Sequence, residues 1–293
     1  MSSWIFFTLG AAFMQAWRNA FQKQLSLDVG ALGVTLARFL WAWPLAGGYL
    51  LILHAWQPVS LPHFSALFAF DIVAGALSQI IATMLMVRLF QRRSYAAGVG
   101  LAKSEALLAA ILGVMFFGAS LSPLGWLGVI IGAAAIWLMK GSRTPGIADG
   151  TTIVIGLASG MFFALTTLWV RHASHQLTDL PFLHASAWVL FFTITTQLAV
   201  LLIWLGWRDR TTLVRVYRRP KLVFCISLAS CLASIGWFTA VNLEHVALVK
   251  TLGQIEVFFT LLISHHWLRE KITGRDRWGL LLIVVSALCV MWT

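Results

Sequence analysis

Two stretches decide the fold when read together: YAAGVGLAKSEALLAAILGVMFFG at 95–118 and VALVKTLGQIEVFFTLLISHHWL at 246–268. Each is long enough to cross a hydrocarbon core, which takes roughly 20 mostly apolar residues. Sliding the first onto the second by 151 positions needs no gap, and Ala96, Leu101 and Glu105 then meet Ala247, Leu252 and Glu256. The same shift carries Ser122 and Gly128 onto Thr273 and Gly279, and a shift of 152 brings Trp17, Gln24 and Leu25 onto Trp169, Gln176 and Leu177. The chain therefore reads as two copies of one unit, residues 1–145 and 146–293. Self-similarity of this kind is the signature of a repeat architecture.

Working outward, apolar stretches can be marked at about 3–22, 31–53, 64–89, 95–118, 123–140, 152–174, 182–206, 221–243, 246–268 and 276–292. They use nearly the whole chain and leave no room for a soluble catalytic domain. Their apolar runs are continuous and not alternating, which argues against a barrel. Ten spans make five per copy, and an odd number forces the second copy to enter the membrane from the opposite side. The expected fold is an all-α integral membrane protein with ten transmembrane helices as two inverted five-helix repeats. In such folds the substrate site lies near the midplane between the copies.

Composition agrees. Of 293 residues, 60% are hydrophobic and 11% charged, and the mean hydropathy is +0.86; a soluble domain carries about 25% charged residues. Soluble enzymes, disulfide scaffolds, disordered chains and nucleic-acid-binding domains are poor fits. The net charge of +11 has a topological explanation. All of the 21 lysines and arginines except Lys103, Arg171 and Lys250 lie in or beside the segments that follow the odd-numbered spans. Basic loops stay in the cytoplasm, so both termini are expected outside, in the cytoplasmic (inner) membrane, with no nucleic-acid partner. The first apolar stretch has neither a basic leader nor a convincing cleavage site and reads as a retained helix. Cys225, Cys231 and Cys289 form no metal or redox spacing.

Several short motifs carry a family resemblance. They are Ala-Arg-Phe-Leu at 37–40, the Ala-x-x-x-x-Leu segments opening the fourth and ninth spans, and the closes Phe-Phe-Gly-Ala-Ser-Leu-Ser at 116–122 and Trp-Leu-Arg-Glu-Lys-Ile-Thr at 267–273. With these the chain resembles the drug/metabolite transporter superfamily in its ten-helix, two-EamA-domain form. The second close contains the family's loop glutamate, Glu270; the first has Ala119 there, a departure. The resemblance covers the whole chain and implies a transporter fold. Within the superfamily, the abundance of tryptophan and the polar residues of the fourth and ninth spans look most like the aromatic amino-acid exporters.

The remaining polar groups inside spans are the candidate site. An ionisable group near the bilayer centre costs at least about 2.5–3.5 kcal/mol, so it needs a partner or a water-filled cavity. Lys103 and Glu105 lie mid-way along the fourth span, Lys250 and Glu256 within the ninth. Lys250 and Gln254, four apart, share one helical face, and the repeat maps Gln254 onto Lys103. Lys103, Lys250 and Gln254 are therefore expected to line a cavity and meet a substrate carboxylate; the alternative is that the lysines only pair with the glutamates. Glu105 and Glu256 either bind an ammonium or carry a coupling proton, or are structural partners of Arg38 or Arg18. Gln15, Asn19, Gln79 and Asn242 either orient a zwitterion or tie helices together. Asp71 in the third span is an interfacial anchor or a rim residue.

Most of the 15 tryptophans sit near span ends, as an interfacial belt does. Trp17, Trp169 and Trp237 do not, and are candidates for stacking on a planar substrate or holding an ammonium by cation–π attraction. His265 and His266 point about 100° apart on a helix and cannot readily share a metal. No Walker A, HExxH or GxSxG motif is present, so no cofactor, metal or ATP chemistry is expected. The expected function is a secondary transporter, not an enzyme. It would export amino acids, aromatic ones foremost, or related small amphipathic metabolites by alternating access, as a monomer among membrane lipids. The alternative is a membrane-embedded lipid-carrier enzyme or a lipid flippase.

Overall fold

The computed structural model describes residues 3–93, 95–103, 108, 122–140, 150–244, 246–270 and 274–291. Every regular element among the described residues is a helix: α1 (Ser3–Leu25), α2 (Ala31–Phe39), α3 (Ala42–Trp56), α4 (Ala66–Arg92), α5 (Tyr95–Ala102), α6 (Pro123–Lys140), α7 (Gly150–His175), α8 (Phe182–Arg208), α9 (Arg210–Tyr217), α10 (Pro220–Leu243), α11 (Val246–Gly253), α12 (Glu256–His266) and α13 (Gly274–Met291). Five segments are long and apolar enough to cross a membrane: Ala31–Trp56, Ala66–Arg92, Gly150–His175, Phe182–Arg208 and Pro220–Leu243. Glu105, Ala119 and most of the 116–122 close lie outside the described residues.

Two expected continuous spans are interrupted. The second divides into α2 and α3 at Leu40–Trp41. Pro44 has no N–H to give the Leu40 carbonyl, so the helical ladder cannot run through; the Trp41 N–H turns instead to Ser227 Oγ, 3.0 Å away. The ninth divides into α11 and α12 at Gln254–Ile255. There the N–H groups of Ile255, Val257 and Phe258 donate to the carbonyls three residues back, at 3.2, 2.9 and 3.0 Å, a tighter winding than the α-helix. In the fourth span, α5 ends in a turn at Lys103, whose N–H reaches the carbonyls of both Val99 and Gly100.

Helices pack where small residues let backbones approach. Gly236 of α10 faces α1 so closely that a Cβ there would lie 2.7 Å from Phe7 O and 2.8 Å from Ala11 Cβ. α4 lies along α7, with Ser159 Oγ donating to Ala82 O at 2.9 Å. α6 lies along α13, with Ser286 Oγ donating to Gly128 O at 2.7 Å. α3 meets α8, where Trp43 Nε1 donates to Thr195 Oγ1 at 3.1 Å. The main core gathers Leu36, Phe39, Ile72, Val189, Leu190 and Ile194. Outside it, Leu51, Ile52, Phe70, Ile130, Val154 and Ile203 are exposed, an apolar exterior suited to lipid.

The connecting segments sort to two ends. At one, Arg219 pairs with Asp28 at 2.7 Å, Gln91 Nε2 donates to Ser26 O and Val29 O, and Lys23 lies 3.9 Å from Glu270. This joins the segments after α1, α4, α8 and α12. At the other, Ser65 Oγ donates to Gln176 Oε1 at 2.9 Å, and Arg171 donates to Val241 O and Glu244 O, both at 2.8 Å.

Candidate functional site

Gln15, Arg18 and Asn19 sit at i, i+3 and i+4 of α1 and so share one face. That face, with residues of α2, α4, α5, α7, α10, α11 and α12, encloses a cavity of about 80 Å³ lined also by Arg38, Gln79, Lys103, Thr166, Thr167, Ser234, Trp237, Lys250 and Glu256.

Glu256 is its hub. Its side chain has no exposed surface and lies 2.6 Å from Lys103 Nζ through Oε2. The same oxygen accepts from Gln15 Nε2 at 2.7 Å, while Oε1 accepts from Asn19 Nδ2 at 3.1 Å. Asn19 Oδ1 in turn accepts from Arg18 Nε and Nη2, at 3.1 and 2.7 Å, so a neutral amide relays a guanidinium to the carboxylate. Gln15 Oε1 accepts from Trp237 Nε1 at 2.9 Å. The Trp237 ring also carries Lys250 Nζ 5.4 Å from its centroid, within cation–π range. Glu256 opens α12, where the helix dipole favours a negative charge. Gln79 Oε1 accepts from Gln197 Nε2 at 2.7 Å.

Of the residues singled out in the sequence, Lys103, Lys250, Gln15, Asn19, Gln79, Trp237 and Glu256 line this one cavity. The others go elsewhere. Gln254, at the break between α11 and α12, is not in the lining that holds Lys250. It lines a separate apolar groove with Trp4, Phe258 and Leu281, and its Nε2 donates to Lys250 O at 3.3 Å. Asn242 ties α10 to α8 by donating to Phe182 O and Ser186 Oγ, at 3.1 and 3.2 Å. Trp17 packs on Trp267, ring centroids 4.5 Å apart, and Trp169 meets Phe70 edge-on at 5.6 Å. Asp71, its carboxylate buried, accepts from His172 Nδ1 at 2.6 Å and from Gln176 Nε2, tying α4 to the end of α7.

Arg18 and Arg38 are the residues that charge-counting misplaces. Both fall among the basic groups of one end in sequence, yet they are 1% and 2% exposed and line the cavity. The available signal was local: Arg18 lies three residues after Gln15, and Arg38 sits inside an apolar run. Arg38 Nη1 donates to Thr83 Oγ1 at 2.7 Å. Glu270 also acts on the site from a distance. It accepts the Tyr95 N–H at 2.8 Å and the Ser264 hydroxyl at 3.0 Å, anchoring the start of the helix that ends at Lys103.

Comparison with known proteins bears on the fold and the family. None of the curated proteins compared matches the chain. A solved crystal structure, described only as that of a protein, is similar with a TM-score of 0.58 at 14% identity, covering 99% of this chain and 97% of its own, a likeness of fold alone. Residues 150–292 match the model of the EamA-like transporter family. With its apolar helices, that match makes this a multi-pass membrane protein whose second half is EamA-like, similar to a family of transporters.

Proposed function

We propose that the chain is a secondary transporter exporting small amphipathic metabolites, amino acids among them, across the cytoplasmic membrane. It would work as a monomer, with two inverted five-helix halves alternately opening one site. The observation that carries this reading is the buried Glu256 network, a polar, charged cavity enclosed by helices whose outer faces are apolar. In inverted-repeat transporters, binding sites form where helices are interrupted. Here the turn at Lys103 and the break at Gln254–Ile255 occupy matching positions under the 151-residue shift. The pairs α1 with α10 and α4 with α7 exchange under the same repeat, and the sorting of connections to two ends fits an alternating topology with both termini outside.

The cavity of about 80 Å³ is smaller than the roughly 300 Å³ at the low end of ligand pockets. An aromatic amino acid, the finer reading suggested by the family resemblance, therefore needs the cavity to widen, which a rocking motion supplies. A lipid-carrier enzyme or flippase is less well supported: no histidine or cysteine lines the cavity among the described residues.

The test is counterflow of radiolabelled amino acids and their deaminated relatives in proteoliposomes. Saturable exchange with unlabelled compound inside is expected. Flux indistinguishable from protein-free vesicles for every compound overturns the reading.

A further inference from the structure

The cavity holds more positive charge than its own carboxylate neutralises. Among the described residues its lining carries Arg18, Arg38, Lys103 and Lys250 against Glu256. That carboxylate is already occupied, by Asn19 on Oε1 and by Lys103 and Gln15 on Oε2. Arg18 is relayed to it through Asn19. Among the described residues, no carboxylate relieves Arg38 in this way. Arg38 is 2% exposed, its Nη1 donates to the neutral Thr83 hydroxyl, its guanidinium carbon lies 5.2 Å from the Phe39 ring centroid, and its Nε is buried without a hydrogen-bond partner. A second cation, Arg18, lines the same cavity. In the same lining, Gln79 has its Oε1 fixed by Gln197, which leaves its Nε2 as a donor.

An unpaired buried guanidinium is costly, and a carboxylate that meets its N–H edge relieves the cost through charge-assisted bonds. An α-ammonium finds the opposite: cations in the same lining and a carboxylate that already holds three donors. We infer that the transported substrate is a small organic acid of net negative charge lacking an ammonium group, of the 2-oxo or 2-hydroxy acid class, and that Arg38 with Gln79 receives its carboxylate. This rests on the transporter reading of the same cavity and narrows it.

The experiment compares matched pairs that differ at the amino position: pyruvate with alanine, 4-methyl-2-oxopentanoate with leucine, phenylpyruvate with phenylalanine. Each is a competitor in counterflow and, separately, a stabiliser of the detergent-purified protein against heat. The oxo acid of a pair is expected to compete at a concentration at least about tenfold lower, a difference of 1.4 kcal/mol. Arg38→Gln should abolish that preference and Arg38→Lys restore part of it. If Arg38→Gln does not fold, Gln79→Leu serves as the second variant, with a smaller loss of preference expected. An amino acid that equals or beats its oxo acid overturns the inference while leaving the transporter reading intact. If no compound exchanges, the transporter reading fails, and the thermal shift decides the inference. Stabilisation by the oxo acids alone upholds the charge preference, and equal or absent shifts overturn it.

Discussion

Lys103 and Glu256 form an ion pair in the cavity, at 2.6 Å with no exposure on the carboxylate. Removing one partner of a buried pair leaves an uncompensated charge and costs about 3–5 kcal/mol, whereas removing both costs far less. Lys103→Met alone should therefore lower the melting temperature strongly, and Lys103→Met with Glu256→Gln should recover most of it; additive losses would show that the pair does not couple. Lys250 and Gln254 separate in the same way by function. Lys250 sits over Trp237 in the cavity, so Lys250→Ala should cut flux by at least about tenfold, the scale of a lost charged contact. Gln254 faces the apolar groove, so Gln254→Ala should leave flux unchanged in the same vesicles. The pattern of four read from the sequence put both side chains in one cavity, whereas the structure gives them different linings.

At the scale of elements, contact between helices rests on the absence of side chains. Gly236→Ala puts a Cβ 2.7 Å from the Phe7 carbonyl oxygen and 2.8 Å from Ala11 Cβ, with backbone on one side that cannot step aside. Overpacking of this kind costs about 1–3 kcal/mol. Gly48→Ala, with nothing within 4 Å of the added atom, should leave the melting temperature unmoved. The short α9 depends on its cap: Asp209 Oδ1 accepts the Thr212 N–H at 3.1 Å, and its two oxygens accept the Thr212 and Thr211 hydroxyls. The Thr212 hydroxyl first, then Thr211, hold the Asp209 carboxyl below its ordinary value. A depressed value means the cap is at full strength above the ordinary carboxylate range and is lost as pH falls through the folded value. Protection factors of the α9 amides, taken against the intrinsic exchange rate at each pH, should fall on acidification through that range, and Asp209→Ala should remove this pH dependence.

For the whole molecule, the two ends make the sharpest prediction. Arg219, paired with Asp28 at the basic end, and Gln57, exposed after α3, belong to opposite ends. In a background lacking the native cysteines, Arg219→Cys and Gln57→Cys should react with a membrane-impermeant maleimide from opposite faces. Labelling of Arg219→Cys from the cytoplasmic face only is the expected result; labelling of both from one face would overturn the span count. The α1–α10 and α4–α7 pairs each draw one helix from residues 1–145 and one from 146–293, so the halves interlock through their helices. Movement between them must slide these small-residue contacts.

Apolar run length, the alternation of basic segments and the coincidence of Glu105 with Glu256 were legible without coordinates, because each is a property of local sequence against a fixed bilayer thickness. So were seven of the cavity-lining residues, since a polar group in an apolar run must be accounted for wherever it points. Which way they point was not legible. Pro44 and the tightened turn at Gln254–Ile255 change the facing of everything beyond them. Arg18 and Arg38 look like end-of-span charges until packing places them inside. The sequence determined that this protein lives in lipid and carries buried charge. Only the tertiary structure decided which cations share one carboxylate among the described residues, because that depends on what several helices, distant in sequence, bring to one cavity.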